Sequence, residues 1–239
     1  MTRDEVSLEK IARPRLTHTH QRSDLLYLLD ELRTAPLIVI SGLSGAGKTT
    51  LVASYAETRF IPCLWYQVDH GDKGLARFFH CLGYAARELN PYKKANLPQP
   101  TPECLAGDSA AVTKYFNDLY QCLATPFLMV FDQYQSISAG AVLHRVIKYA
   151  CNALPVGGRI VLITSNDRQP TITCLRANRS TAIIAWHELQ LNPGKVKEAA
   201  ALHGLSWSRE DAAKQIQRNV GDWAAEMILS LQKSRNDWG

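Results

Sequence analysis

The segment Gly42-Leu43-Ser44-Gly45-Ala46-Gly47-Lys48-Thr49-Thr50 decides how the rest of the chain is interpreted. It matches the pattern G-x-x-x-x-G-K-[ST] at every constrained position. A short apolar, β-branched run at 36–41 precedes it, and a helical pattern at 49–59 follows it. A strand, a glycine-rich loop and a helix in this order predict a phosphate-binding loop. The alternative, a glycine-rich turn before a core helix, leaves the lysine and the threonine unexplained.

The residue types in this loop suit an anion. Gly42, Gly45 and Gly47 allow backbone conformations closed to other residues, so that successive N–H groups can point into one concavity. The helix N-terminus adds partial positive charge. Lys48 supplies a charge for the β- and γ-phosphates, and the Thr49 hydroxyl is placed to bind Mg²⁺. The predicted nucleotide-binding residues of the loop are Gly42, Ser44, Gly45, Ala46, Gly47, Lys48, Thr49 and Thr50.

Length and composition describe an ordinary globular protein. The 239 residues can form one large domain, or one domain with a small appendage. The chain is 46% apolar and 21% charged, which is typical of a folded domain. Its net charge of +5 is mild, and its basic residues are scattered. We therefore expect no direct binding of DNA by this segment.

The sequence also predicts a cytoplasmic location. The six cysteines are widely spaced and include no C-x-x-C pair, as expected for buried thiols in a reducing compartment. The first ten residues are charged and contain no apolar core, so they are not a signal peptide. No apolar run is long enough to cross a bilayer, and we expect no membrane association.

A second informative strand ends in an acid. Residues 126–132 form an apolar run that closes on Asp132, downstream of the glycine loop. This is typical of the Walker B element, whose carboxylate holds Mg²⁺ directly or through water. Thr49 and Asp132 are therefore the predicted magnesium ligands. Gln133 follows, and because an amide can orient water but cannot take its proton, we do not expect fast hydrolysis.

Other predicted strands also end in polar residues. The strand at 159–166 closes on Asn166, the best candidate for a γ-phosphate sensor, with Ser165 second and ordinary turn bonding as the alternative. The strand at 62–69 ends at Asp69, which could orient water or metal but more often would cap the next helix. Carboxyl ends of parallel strands meet at one edge, which is where ligands bind.

Two arginines precede the last predicted strand, at 181–186. Arg176 or Arg179 could reach a phosphate or a neighbouring subunit, and a solvated side chain is the alternative for either. Ahead of the sheet, residues 1–20 form a polar, basic arm, and Ser23 is expected to cap a helix. The predicted helices of the core are 24–33, 49–59, 75–90, 109–123 and 141–154, and a long surface connection occupies 91–108.

The alternation of strands and helices predicts an α/β fold with a parallel five-stranded sheet. The strand at 159–166 is expected to lie between those of the loop and of Asp132, giving the order 2-3-4-1-5. We predict a nucleotide-binding domain at 1–187 and a helical lid subdomain at 188–239. The expected lid helices are 193–203, 208–220 and 222–234.

Several segments together resemble the ATPase module of MalT-like regulators, within the STAND class of signalling NTPases. They are RPRLTH (13–18), SGLSGAGKTTL (41–51), CLWYQVDHGD (63–72), LMVFDQYQ (128–135), LITSNDRQP (162–170), LRANR (175–179) and GDWAAEMIL (221–229). They occur in family order over nearly the whole chain. The loop is generic, whereas CLWYQVDHGD, LRANR and the late G-x-W narrow the resemblance.

The resemblance implies a nucleotide-gated switch using ATP/ADP and Mg²⁺. ADP between the core and the lid would hold a closed monomer, and exchange for ATP would permit opening and formation of a homo-oligomer. Lys48 would bind phosphate, Thr49 would bind the metal, and Asp132 would be the Walker B acid. Arg176 matches the family arginine near the last strand. Trp223 and Gly221 match the lid segment near the base, and Arg15 and Leu16 match the edge of the base pocket.

This sequence departs from the family pattern in two places. Gln133 stands where relatives often carry Asp or Asn, and Asn166 follows Ser165 where many carry Arg. The departures concern hydrolysis and γ-phosphate sensing rather than binding. Sensor repeats and a DNA-binding or activation domain, absent here, are expected elsewhere in a longer chain. The alternatives are a scaffold without hydrolysis, a P-loop kinase, and an AAA-type ATPase acting on nucleic acid.

Overall fold

Five parallel strands form a single sheet. The computed structural model describes residues 8–16, 22–72, 74–89, 97–138, 140–165, 172, 181–190, 197, 201, 208 and 210. The strands are β1 (Leu37–Ser41), β2 (Cys63–Gln67), β3 (Phe127–Asp132), β4 (Gly158–Thr164) and β5 (Thr181–Ile184). Their order across the sheet is β2-β3-β4-β1-β5, and every pair is parallel. The predicted fold class and strand order are confirmed.

Helices cover both faces of this sheet. They are α1 (Leu8–Ile11), α2 (Ser23–Glu31), α3 (Lys48–Thr58), α4 (Leu75–Leu89), α5 (Pro102–Leu105), α6 (Ser109–Gln121), α7 (Val142–Asn152) and α8 (Trp186–Leu189). Short 3₁₀ turns occur at Leu32–Thr34 and Tyr134–Ser136. Within the part of the chain that the structure describes, no helix combines the length and apolar character needed to cross a bilayer.

The strands are buried on both faces, which explains their continuous apolar sequences. In β1, Leu37 and Val39 pack into one core layer, whereas Ile38 and Ile40 pack into the other. The first layer includes side chains of α4, α6 and α7, and the second includes side chains of α2 and α3. Two apolar layers therefore fix the register of the sheet, and with it the edge where the strands end.

Two local predictions are wrong, and two other predicted segments contain short helices that the sequence did not indicate. Trp186, predicted in the last strand, begins helix α8, and β5 ends at Ile184. Ser23 does not cap α2, because the N-cap residue is Arg22 and no side-chain cap bond forms. The connection predicted at 91–108 contains helix α5. The N-terminal arm, predicted as polar and basic, forms α1, in which Lys10 is buried.

Lys10 belongs to an ion network at the end of β2. Its ammonium group donates to Asp69 Oδ2 and Asp72 Oδ1, both at 2.7 Å. The Tyr66 hydroxyl donates to the same Asp72 oxygen at 2.7 Å, and the Asp72 side chain is only 1% exposed. Asp69 also accepts from the Gly71 N–H. The N-terminal segment is thus attached to the sheet through a nearly dry charge pair.

This network predicts a large effect of Lys10→Ala on stability. The substitution leaves the Asp72 carboxylate buried without a cation, and losing one partner of a buried pair costs about 3 kcal/mol or more. Urea denaturation should show this loss in the free energy of unfolding. Lys114→Ala is the control, because Lys114 pairs with Asp118 on an exposed helix face and should change stability by less than about 0.5 kcal/mol. Equal effects of the two substitutions would contradict the assignment.

Candidate nucleotide-binding site

The loop between β1 and α3 includes backbone conformations that glycine adopts readily and other residues do not. Gly45 and Gly47 have φ values of 82° and 79°, in the left-handed region that favours glycine. Gly42 is needed for a different reason, since a Cβ there would lie 2.9 Å from Leu189 Cδ1. The Ala46 N–H donates to Leu43 O at 3.2 Å. Among the described residues, no backbone carbonyl accepts from the N–H groups of Gly45 and Gly47.

The Lys48 side chain folds back over the glycine loop. Its ammonium group donates to Gly42 O and Leu43 O, both at 2.7 Å, and its side chain is buried. Burial lowers the pKa of Lys48, and the charge of Asp132 partly opposes that shift. The cation is therefore held by weak, neutral acceptors of the loop itself. Phosphate oxygens in the same concavity would be stronger partners.

Thr49 and Asp132 come together as predicted for a magnesium site. The Thr49 hydroxyl lies 3.0 Å from Asp132 Oδ2 and 3.2 Å from Oδ1. The Gln133 N–H donates to Oδ1 at 2.8 Å. A hydroxyl and a carboxylate are hard oxygen donors that suit Mg²⁺. In the described ranges, no group of three His, Cys, Asp or Glu side chains could hold a metal, so phosphates and waters would complete the coordination.

The Asp132 carboxylate is costly to ionise. It is 5% exposed, and this burial raises its pKa, whereas the Thr49 hydroxyl, the Gln133 N–H and the Lys48 charge act in the opposite direction. A divalent cation bound to the carboxylate would favour its ionised form much more strongly than these groups do. The Asp132 carboxylate would therefore be more readily ionised with a metal bound than without one.

The residues after β3 connect the acid to the neighbouring strand ends. Gln133 has φ 56° and ψ 40°, a conformation uncommon for residues other than glycine, and its side chain is exposed. Gln135 Oε1 accepts from the Ser165 N–H at 3.0 Å, and Gly42 N–H donates to Thr164 O at 3.3 Å. The ends of β3 and β4 and the start of the loop are therefore joined by hydrogen bonds.

The other predicted site residues divide into two groups. In the described part, Ser44 is exposed, Thr50 is half-buried in the first turn of α3, and Arg15 is exposed. Leu16 is partly buried against the α2–α3 core layer. The remaining candidates, Asn166, Arg176, Arg179, Gly221 and Trp223, lie outside the described residues.

The sequence analysis missed the contact between α8 and the loop. Trp186 and Leu189 of this short helix lie against Gly42, and Arg22 binds the carbonyl groups at its end. One signal was present, because Glu188 Oε2 accepts from the Ala185 N–H at 2.6 Å. A glutamate at the third position of a helix, bonded to the backbone N–H of the residue before the helix, is typical of a helix N-terminus.

Comparisons with known proteins bear on the sequence and the fold of this chain. No protein-family model matches the chain. Its sequence is similar to the HTH-type transcriptional regulator MalT of Klebsiella pneumoniae, with 26% identity over 95% of this chain and 25% of that protein. The chain thus spans about a quarter of the length of this curated relative.

One of the matching solved structures supports the fold. The Walker-type ATPase of Pyrococcus abyssi matches with a TM-score of 0.59 and 13% identity, over 91% of this chain and 68% of that chain. A DNA replication initiation factor matches with a TM-score of 0.47 and 13% identity, over 97% and 63%, which is too low to add to the assignment. The chain is therefore similar in sequence to MalT, and it shares its fold with a Walker-type ATPase.

The buried acid predicts that Asp132→Asn stabilises the ligand-free protein at neutral pH. The pKa of Asp132 is raised in the folded state, so its stability contribution is present below the unfolded pKa and is lost as pH rises through the folded value. At pH 7 the Tm of the variant should exceed that of the wild type by about 2–4 °C, the shift that about 1 kcal/mol gives in a domain of this size.

The difference should shrink as pH falls towards about 4, the ordinary range of an aspartate. Thermal melts across this pH range, without nucleotide or metal, provide the measurement. Asp118→Asn is the control, because Asp118 pairs with Lys114 on an exposed face and should show no such gain. A destabilised Asp132→Asn protein at pH 7 would overturn the prediction.

Proposed function

We propose that this chain is the nucleotide-binding switch module of a MalT-like transcriptional regulator, and that it binds ATP or ADP with Mg²⁺. The observation that carries the proposal is the convergence of Lys48, Thr49 and Asp132 on one glycine loop. The ammonium group lies on the loop, 2.7 Å from two of its carbonyl oxygens. The hydroxyl lies within 3.2 Å of both oxygens of the acid. This is the set of groups that a magnesium-bound polyphosphate requires.

We propose slow hydrolysis. The Asp132 carboxylate already accepts hydrogen bonds from the Thr49 hydroxyl and the Gln133 N–H. The next residue, Gln133, has an amide side chain. An amide at this position can orient a water molecule but cannot accept its proton. A long-lived triphosphate state suits a switch, because the bound nucleotide then reports a regulatory event rather than turnover.

The switch itself involves parts of the chain beyond the described core. In the proposal, residues 188–239 form a helical lid beside the domain at 1–187, and Trp223 approaches the base opposite Arg15 and Leu16. Asn166 senses the γ-phosphate and Arg176 approaches the phosphates. ADP holds the closed monomer, and exchange for ATP permits self-assembly. Sensor repeats and a DNA-binding or activation domain would belong to the same longer chain, in the cytoplasm.

A second candidate is a scaffold that binds nucleotide and never cleaves it. Gln133 favours this reading, since it removes the acid that would activate water. The two candidates share the loop and the metal, and they differ only in whether bound ATP becomes ADP over hours in a single-turnover assay.

Lys48→Ala should abolish most triphosphate binding. The substitution removes the charge opposite the β- and γ-phosphates. Because this charge-assisted contact is lost, we expect the affinity for triphosphate to fall about 100-fold, or by about 2.8 kcal/mol. Isothermal titration calorimetry with Mg²⁺-ATP measures it. Lys114→Ala, which removes an exposed lysine of α6, should bind like the wild type. Unchanged affinity in the Lys48 variant would refute the site.

Gln133→Glu should raise the rate of hydrolysis. A carboxylate next to Asp132 can act as a general base, a role that contributes about 100-fold or more in enzymes, and even an imperfectly placed one should give about tenfold. Single-turnover assays with Mg²⁺-ATP provide the rate. The matched control is Gln133→Asn, which keeps an amide and tolerates the left-handed backbone. A Glu variant that binds ATP but hydrolyses it no faster would favour the scaffold.

A further inference from the structure

The short helix that follows β5, α8, touches the phosphate loop. Helix α8 follows β5, and β5 pairs with β1, so that Ile184 lies opposite Ile40 at the same edge of the sheet. A Cβ on Gly42 would lie 2.9 Å from Leu189 Cδ1 and 3.2 Å from Trp186 Cε3. The first glycine of the loop therefore packs directly on α8, with no room for a side chain between them.

Arg22 holds the carboxyl end of the same helix. Its Nη1 donates to Leu189 O, and its Nη2 donates to Gln190 O at 3.2 Å and to Glu188 O at 3.4 Å. A helix end leaves these carbonyl groups without intrahelical partners. One guanidinium fork satisfies three of them, which a lysine could not do with the same geometry. Burial lowers the pKa of Arg22, but an arginine keeps its charge at neutral pH.

Gly42 is contacted from two sides, and one of those contacts would depend on the ligand. Its carbonyl oxygen accepts from the Lys48 ammonium group at 2.7 Å, while its Cα faces α8. A bound phosphate would compete for the ammonium group and release this carbonyl. The peptide that α8 packs against would then lose a partner and could rotate. The loop would then take a second arrangement, and α8 lies against the peptide that would differ between the two.

We infer that Arg22, which lies outside the nucleotide site itself, positions α8 against Gly42 and so couples occupancy of the loop to the chain that continues beyond Gln190. The inference rests on the proposed nucleotide binding and adds the route by which binding is transmitted. Arg22 need not touch the nucleotide. Without it, α8 would keep its contact with Gly42 only through the apolar side chains of Trp186 and Leu189.

Hydrogen exchange with and without Mg²⁺-ADP, on the full 239-residue chain, tests the coupling. In the wild type, ADP should change the exchange rates of the amides at 186–190 by about fivefold or more, the lower bound of typical coupling between linked sites. Arg22→Ala should bind ADP within about threefold of the wild type but lose this nucleotide-dependent change. Arg22→Lys should restore less than half of it.

Two further variants separate coupling from general damage. Arg59→Ala removes an arginine that binds Asp30 of the same helix α2 on the exposed side, and it should keep the wild-type response. Leu189→Ala removes the contact with Gly42 and leaves the carbonyl groups that Arg22 holds, and it should also lose the response. Circular dichroism and thermal melts identify any variant that fails to fold.

The outcomes distinguish this inference from the function on which it rests. A wild-type chain that binds no ADP would overturn both. A wild-type chain that binds ADP without a change at 186–190 would overturn only the coupling. The same holds if Arg22→Ala binds ADP and responds as strongly as the wild type. Loss of the response in both Arg22→Ala and Leu189→Ala, with the Arg59→Ala response intact, is the expected result.

Discussion

The hydrogen bond between Thr49 and Asp132 is the constraint on which the site depends. It joins the first turn of α3 to the last residue of β3, two elements 83 residues apart in the chain. In this sheet β4 lies between β1 and β3, and the carboxyl end of β3 faces the loop across that one strand. The two buried apolar layers hold the strands in this arrangement. Packing on both faces of the sheet thus places two oxygen ligands at contact distance.

The same site concentrates several unfavourable features of the fold. Lys48 is desolvated, Asp132 has a raised pKa, and Gln133 occupies a left-handed conformation that a side chain disfavours. Each feature destabilises the ligand-free protein, and each would be offset by an anion or a metal. A ligand that binds only the folded state stabilises it by mass action. The site is therefore arranged to bind a ligand rather than to stabilise the free chain.

The sequence predicts most of the sheet and the centre of the site, and it fails where contacts are long-range. Asp132 was identifiable because a continuous apolar run marks a buried strand and the acid marks its end. Lys10 was not, since its partners Asp69 and Asp72 lie 59 and 62 residues away and a lysine in a polar arm has no local signal of burial. Helix α8 was missed because four residues are too few to show a helical period.

Lys10 and Arg22 together give the N-terminal segment a role that composition alone did not suggest. Lys10 binds acids that follow β2, and Arg22 binds carbonyl groups that follow β5, so the two cations attach to the two edge strands at the same end of the sheet. Between them, the Arg13 guanidinium lies 3.9 Å from the Glu57 carboxylate of α3, and Leu16 packs against the α2–α3 core layer. The part of this segment that the structure describes is therefore attached to α3 as well as to the two edge strands.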